Sequence, residues 1–194
     1  MPLALDITDA RSLAAAAERA PDISVLFNNA GVLASFNVLS SRSEDIAQDF
    51  ATNCFGMLAA TKAFLPALER AARASTAAPG AALVNVLSVV SLTNMPALGG
   101  YSASKAAAYS LTQALRSELG AKGIAVHAVF AGAIDTDMVR TMDLPKTSPI
   151  EVARNILHDV ELGIDDIRPE AMSRAMFEVW RRDPRELERQ LAAG

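Results

Sequence analysis

The stretch AALVNVLSVVSLTNMPALGGYSASKAAAYSLTQALRSELGAKGIAVHAVF, residues 81–130, decides the fold of this 194-residue chain. It places two short apolar runs, residues 81–87 and 124–130, on either side of a helical pattern over residues 101–121. Short apolar runs are typical of buried strands, and parallel strands need a crossover connection that is usually a helix. The stretch therefore predicts a strand–helix–strand unit within a parallel sheet.

The same alternation of extended and helical patterns continues in both directions. Two further extended segments and four further helical ones are predicted: the end of a strand at 2–7, a helix over 9–20, a buried strand at 23–27, a long helix over 43–74 with Ser43 as its N-cap, a helix near 150–162 and a charged helix near 170–192. Strands that alternate with helices indicate a three-layer α/β fold with a doubly wound parallel sheet of the Rossmann type. One domain over residues 1–194 suits this length.

Composition excludes several classes of function. Hydrophobic residues make up 51% of the chain and charged residues 21%, and the net charge is −4. Since neither sign dominates a long stretch, we expect no nucleic-acid partner and no membrane association. Cys54 is the single cysteine, which excludes an internal disulfide and favours a reducing, cytoplasmic compartment. Because the chain has two histidines and one cysteine, no zinc cluster is expected.

Three residues indicate a chemistry. Tyr101 and Lys105 are four apart on a predicted helix and share one face, and Ser88 ends a predicted strand, where parallel sheets bind ligands. A phenol with a pKa near 10 is a poor base at pH 7, but a neighbouring ammonium lowers that pKa. The pair can then exchange a proton with an alcohol or carbonyl oxygen that Ser88 holds. The hydride must come from a cofactor.

Each of these features also has a plain structural interpretation. A tyrosine and a lysine at this spacing are usually a surface pair, and Asn28-Asn29-Ala30-Gly31 alone is a strand-ending turn. Asn53 alone is a polar residue on a helix face, and Ser88 alone begins a loop.

Together, the motifs resemble those of the short-chain dehydrogenase/reductase family, in order and at family spacing over nearly the whole chain. They are Asn28-Asn29-Ala30-Gly31, Asn53, Ser88, Tyr101-Ser102-Ala103-Ser104-Lys105 and Gly132-Ala133-Ile134-Asp135-Thr136. The resemblance implies a catalytic tetrad of Asn53, Ser88, Tyr101 and Lys105. Tyr101 would exchange the proton, Lys105 would bind the nicotinamide ribose, Ser88 would position the substrate oxygen, and Asn53 would kink its helix and hold a water.

The resemblance also implies contacts to NAD or NADP, without deciding between the two. Asp6 and Ile7 match the segment beside the adenine ring, although a carboxylate at that place also suits a helix N-terminus. Asn29, Ala30 and Gly31 match the segment beside the adenosine ribose. Tyr101 and Lys105 would contact the nicotinamide ribose, and Ile134 and Thr136 the carboxamide. No metal is expected.

Two departures from the family pattern stand out. Ala131 replaces the usual proline before Gly132, which only shapes the loop entry. The family's glycine-rich turn, Thr-Gly-x-x-x-Gly-x-Gly, has no counterpart, because no glycine precedes Gly31. In the family that turn and its helix hold the pyrophosphate. We therefore expect a fold without the first β-α-β unit, an exposed edge on strand 23–27, and weak dinucleotide binding by these 194 residues alone.

The leading hypothesis is oxidation of an alcohol or reduction of a carbonyl with a nicotinamide cofactor. Val89, Val90, Leu92 and Leu98 are predicted to line an open, apolar pocket for a small hydrophobic substrate. A homodimer or homotetramer is expected. The alternative is a protein without activity, either a remnant or a scaffold that dimerises through helices 43–74 and 101–121.

Overall fold

The computed structural model describes residues 2–193, which contain a four-stranded parallel sheet in the order β1-β2-β3-β4. The strands are β1 (Val25–Asn28), β2 (Ala81–Val86), β3 (Ile124–Val129) and β4 (Asp166–Ile167). All three neighbouring pairs run parallel, with Asn28 opposite Asn85 and Asn85 opposite Ala128. The α/β fold with a parallel sheet is confirmed.

Seven α-helices connect and flank the strands. They are α1 (Ala10–Arg19), α2 (Ser43–Phe50), α3 (Met57–Ala74), α4 (Gly99–Gly120), α5 (Pro149–Glu161), α6 (Ala171–Arg182) and α7 (Pro184–Ala193). A π-helical segment, Ala51–Gly56, joins α2 to α3, so the predicted helix over 43–74 is one continuous rod with a wider turn in its middle. Short 3₁₀ turns lie at Val89–Ser91, Pro96–Leu98 and Asp137–Val139.

Helices cover both faces of the sheet because its central strands are apolar on both sides. Leu83 and Val126 pack with Leu68 of α3 and Leu115 of α4 on one face. On the other face of the sheet, Val152 and Ile156 of α5 pack against Val84 of β2, Val129 of β3 and Ile167 of β4. This double burial explains why β2 and β3 are continuous apolar runs rather than alternating patterns.

The predicted strand at 2–7 is wrong. A strand needs a neighbour for its backbone groups, and within residues 2–193 none lies beyond β1 for this segment to pair with. The segment instead turns into α1: Thr8 donates from its N–H (2.8 Å) and its hydroxyl (2.7 Å) to the Asp6 carboxylate. Asp9 then caps α1 by accepting from the Arg11 N–H at 2.8 Å.

Three smaller expectations also differ from the structure. Ser43 is the first helical residue of α2 rather than its N-cap, and Arg42, which holds the cap position, makes no side-chain capping bond. The charged helix predicted near 170–192 is two helices, because Pro184 begins a new one after Asp183. The two-residue strand β4 was not predicted.

The edge of the sheet at β1 is open to solvent, as the sequence predicts for strand 23–27. Within the described residues, β1 pairs only with β2. Val25 is 41% exposed and Phe27 is 40% exposed. The carboxyl ends of β1, β2 and β3 lead into the loops at Asn29, Leu87 and Phe130, which carry the candidate site.

Candidate active site

Tyr101 and Lys105 lie on the first turns of α4, the helix that follows the loop after β2. Lys105 is only 5% exposed, and its Nζ donates to the main-chain oxygen of Val86 at 2.9 Å, where β2 ends. The same Nζ lies 5.8 Å from the centre of the Tyr101 ring. The helical spacing of four residues thus places an ammonium group beside a phenol at the carboxyl edge of the sheet.

Ser88 stands at the end of β2, opposite the start of α4. It caps the 3₁₀ turn Val89–Ser91: its Oγ accepts from the Val90 N–H at 3.4 Å, and the Ser91 hydroxyl accepts from the Ser88 N–H at 3.2 Å. The Ser88 side chain lies close enough to the Tyr101 phenol to act on it and lowers its pKa. Ser88 therefore faces the oxygen of Tyr101.

Burial dominates the titration of both groups on α4. Desolvation, followed by the negative charge of Asp49, raises the pKa of Tyr101 to about 12 against the opposing effect of Ser88. Desolvation lowers the pKa of Lys105 to about 8, and Asp49 acts in the other direction. The expectation of a lowered pKa for Tyr101 therefore differs from the structure: the phenol is neutral at pH 7, and the group that titrates below 10 is Lys105.

Asn53 lies in the middle of the π-helical segment, where the sequence predicts a kink. Its Nδ2 donates to Val32 O (2.9 Å) and to the Ser104 hydroxyl (3.0 Å), and its Oδ1 accepts from the Val32 N–H (2.8 Å). The Ser104 hydroxyl donates in turn to the main-chain oxygen of Tyr101 at 2.7 Å. Asn53 thereby joins the loop after β1 to the helix that carries Tyr101.

Gly31 lies where this loop approaches Lys105 most closely. A Cβ added at Gly31 would stand 3.1 Å from Asn53 Oδ1 and 3.5 Å from Lys105 Nζ. Asn29 and Ala30, just before it, are exposed. The absent side chain lets the backbone of this loop approach Asn53 and the ammonium group.

The structure therefore brings Gly31, Asn53, Ser88, Tyr101 and Lys105 together, whereas the other predicted contact residues lie further along their loops. Ile7 packs on the π-helical segment, since a Cβ at Gly56 would fall 2.8 Å from Ile7 Cδ1. Asp6 is exposed, and its hydrogen bonds from Thr8 lower its pKa.

Ile134 and Thr136 lie in the loop after β3. Ile134 packs against the apolar cluster of β2, β3 and α5, and Thr136 is exposed, with its hydroxyl donating to Ile134 O at 3.3 Å. Backbone bonds between Asp135 N–H and Thr147 O (2.9 Å) and between Thr147 N–H and Ala133 O (3.0 Å) fix this part of the loop.

The predicted pocket lining is partly wrong. Val89 and Val90 are each 4% exposed and belong to the core cluster with Met57 and Phe130. They turn inward because the 3₁₀ turn folds them onto the sheet. Leu92, Met95 and Met176 are half-buried and pack, like Tyr101, against this cluster.

The sequence interpretation missed Asp49, one helical turn before Asn53. Asp49 is fully buried; its Oδ1 accepts from the Ala34 N–H at 2.9 Å, and its Oδ2 accepts from the Ser35 N–H at 3.1 Å and from the Ser35 hydroxyl. Asp49 and Asn53 together hold residues 32–35, which lie outside any helix or strand. Their four-residue spacing was the available signal.

The site fits the nicotinamide riboside end of a dinucleotide. Lys105 has three N–H donors, and among residues 2–193 only Val86 O accepts from it, so two donors remain for ribose hydroxyls. Gly31, which has no side chain, lies next to these donors. A glycine-rich turn for the pyrophosphate has no counterpart before Gly31.

Two other kinds of feature are absent from the part of the chain that the structure describes. No three histidine, cysteine, aspartate or glutamate side chains converge there so as to hold a metal ion. None of its helices has the length and apolar character needed to cross a membrane.

Comparison with known proteins identifies the family. The family described as short chain dehydrogenase matches residues 1–146, so the chain belongs to the short-chain dehydrogenase family. A short chain dehydrogenase from Burkholderia cenocepacia, solved in complex with NADP, is 34% identical with a TM-score of 0.89 over 98% of this chain and 78% of that one. The prediction of a nicotinamide cofactor agrees with this structure, and the choice between NAD and NADP stays open.

Two curated relatives share part of their length with this chain. The probable oxidoreductase EphD of Mycobacterium tuberculosis is 34% identical over 72% of this chain and 23% of its own length. A galactitol 2-dehydrogenase (L-tagatose-forming) from Cereibacter sphaeroides is 34% identical over 71% of this chain and 53% of its own. The chain therefore spans between a quarter and about half of these relatives.

Proposed function

We propose that this chain carries the catalytic half of an oxidoreductase that interconverts an alcohol and a carbonyl compound by hydride exchange with NAD or NADP. The observation that carries the proposal is the buried Lys105 ammonium group. Two of its three N–H donors have no acceptor among residues 2–193, and it lies next to Gly31 and one helical turn from Tyr101. A buried cation is costly unless it is used, which favours a bound ligand rich in hydroxyl groups.

Each residue of the site has a defined role in the proposed reaction. Ser88 donates a hydrogen bond to the carbonyl oxygen and holds it against Tyr101. The bound nicotinamide supplies the hydride. Tyr101, neutral at pH 7 because its pKa is about 12, gives its proton to the oxygen as the alcohol forms. Lys105 binds ribose hydroxyls, and its positive charge stabilises the phenolate that remains. Asn53 keeps the loop after β1 and the first turns of α4 in place.

The proposed substrate is a small, largely apolar carbonyl or alcohol. Leu92, Met95 and Met176 are half-buried, pack against the same core cluster as Tyr101 and offer no charged group to a substrate. Methionine adapts its shape to varied ligands, so we expect tolerance of several apolar substituents.

The test combines binding and turnover. NADH and NADPH are titrated by calorimetry into the 194-residue chain. The same titrations are made with a longer protein that also carries any in-frame residues encoded upstream of Met1. Carbonyl reduction is then followed by loss of the reduced nicotinamide. Lys105→Met should weaken both cofactor binding and turnover, because one ammonium group serves both. Full dinucleotide affinity in Lys105→Met would contradict the proposal.

An assembly through the helix of residues 43–74 is also proposed. Phe55 on its π-helical segment is 61% exposed, which is unusual for a phenylalanine and supports a subunit contact there. Sedimentation of the wild type beside Phe55→Lys tests this subunit contact, and a monomeric wild type contradicts it.

The buried, unpaired Cys54 supports a reducing compartment such as the cytoplasm.

A further inference from the structure

Glu170 is a buried carboxylate that has no role in the reaction described above. It is 2% exposed and lies just before α6. Burial of a charged group is costly unless hydrogen bonds compensate for the lost water, so the partners of this carboxylate show what it does.

Those partners belong to two different elements. Glu170 Oε1 accepts from the Ser173 N–H at 2.9 Å and Oε2 accepts from the same N–H at 3.0 Å, which caps the N-terminus of α6. Oε1 also accepts from the Gly132 N–H at 2.9 Å, in the loop after β3. Capping alone would suit aspartate, which is the preferred acidic residue at this position. The longer glutamate reaches both elements.

Gly132 is shaped for this contact. A Cβ at Gly132 would stand 2.9 Å from Glu170 Oε1 and 2.9 Å from Met172 Sδ, so the loop can approach the carboxylate only because it has no side chain there. Gly132 begins the short loop that continues to Ile134 and Thr136. The far end of that loop is held by Thr147, and Glu170 holds the near end.

The helix that Glu170 caps shares a core cluster with Tyr101. Met176, one turn and a half into α6, and Tyr101 both pack against the buried cluster that includes Val89 and Phe130. One carboxylate thus joins the loop after β3 to a helix that packs on the same cluster as Tyr101.

We propose that Glu170 is a positioning residue that ties Gly132 to the N-terminus of α6 and so fixes the loop 131–136 for the nicotinamide end of the cofactor. The tie to Gly132 stands on the contacts above, whereas the consequence for the cofactor rests on the proposed function.

Two substitutions separate the tie from simple helix capping. Glu170→Asp keeps a good N-cap but is too short to reach Gly132. Ser173→Ala removes the reciprocal half of the capping box, in which the Ser173 hydroxyl accepts from the Glu170 N–H at 3.4 Å, and leaves Gly132 untouched. Amide hydrogen exchange is measured over residues 131–136 and over α6, together with the affinity for NADH and NADPH.

We expect Glu170→Asp to accelerate exchange at Gly132 and to weaken cofactor affinity about tenfold, the effect of losing one hydrogen bond to a charged group. Ser173→Ala should accelerate exchange only at the start of α6 and leave affinity unchanged. Unchanged exchange at Gly132 in Glu170→Asp, or equal losses of affinity in both variants, would overturn the proposal. If neither the 194-residue chain nor its upstream-extended form binds a dinucleotide, the proposed function and the cofactor role fall together, while exchange at Gly132 still decides whether the tie exists.

Discussion

The charge of Lys105 is the most constrained feature at the scale of single residues. Burial and the carboxylate of Asp49 act on it in opposite directions, and together they leave its pKa at about 8. Tyr101 experiences both effects in the same direction, which keeps its phenol protonated. The two residues therefore differ in what pH does to them: within the range where enzymes are assayed, only Lys105 changes its charge.

Tyr101→Phe should abolish carbonyl reduction while leaving cofactor affinity largely intact. In the proposed reaction the phenol oxygen exchanges the proton, and such groups typically contribute about 10²–10⁴-fold to the rate. Turnover is measured under saturating cofactor, beside calorimetry of the same variant. A rate within a few-fold of wild type would remove Tyr101 from the proton transfer.

Asp49→Asn should move the pH dependence of reduction. Lys105 carries its charge below its pKa, so the rate should fall as pH rises through about 8. The Asp49 charge raises that pKa, and its removal should therefore shift the fall to lower pH. Rates are measured across pH for wild type, Asp49→Asn and Glu44→Gln, in which the altered side chain lies on the same helix but is 74% exposed. An unmoved profile in Asp49→Asn contradicts the electrostatic role.

At the scale of elements, the start of α4 is held against the loop after β1 by a close approach of backbones. The Gly100 N–H donates to Phe36 O at 3.3 Å, and a Cβ at Gly100 would fall 2.2 Å from Ser35 Oγ and 3.0 Å from Ile46 Cγ1. Ser35 in turn is held by Asp49. The position of Tyr101, next in the chain, therefore depends on the missing side chain of Gly100.

Gly100→Ala should lower the free energy of unfolding by about 1–3 kcal/mol, the usual cost of overpacking. The matched control is Gly120→Ala at the other end of α4, where a Cβ meets nothing within 4 Å. That change should instead stabilise the chain by about 0.5–1 kcal/mol, because alanine is the better helix former. Denaturant unfolding of both variants checks the difference, and equal effects would show that the contact with Ser35 yields easily.

The elements that could be predicted from sequence were those with a regular pattern. The apolar runs of β2 and β3 and the motif residues Ser88, Tyr101 and Lys105 have local signals. For Asp49 and Glu170 the local spacing, to Asn53 and Ser173, does not reveal the contacts to Ser35 and Gly132, because these lie 14 and 38 residues away in the chain and only the folded backbone brings them within reach. The strand predicted at 2–7 failed for the same reason: whether an apolar segment becomes a strand depends on a neighbour.

At the scale of the whole molecule, the open edge of β1 dominates the behaviour expected in solution. The edge presents unpaired backbone groups beside the exposed side chains of Val25 and Phe27. Exposed apolar edges of this kind favour pairing with other chains. Native proteins suppress such pairing with charged residues at the edge, and β1 (Val-Leu-Phe-Asn) has none.

Val25→Lys should therefore reduce self-association without loss of thermal stability, since Val25 is 41% exposed. Sedimentation velocity over a range of protein concentrations compares the variant with wild type. The control is Ser24→Lys, which adds the same charge at an exposed residue just outside β1. Leu83→Lys is unsuitable as a control because Leu83 is fully buried. Association that is equal in Val25→Lys and Ser24→Lys would locate the contact elsewhere.

The π-helical segment Ala51–Gly56 has a consequence for length variation in this chain. A wider turn accommodates one residue more than an α-helix would, and each α-helical residue advances the helix by about 100°. Loss of a single codon within the segment would therefore let it close into ordinary α-helix while α3 keeps its rotation, and Thr61, Phe64 and Leu68 would stay in the core. Loss of a codon at the start of α3, where no wider turn absorbs the change, would instead rotate the rest of the helix by that angle and turn these three residues out of the core. We expect the second deletion to be far more damaging than the first.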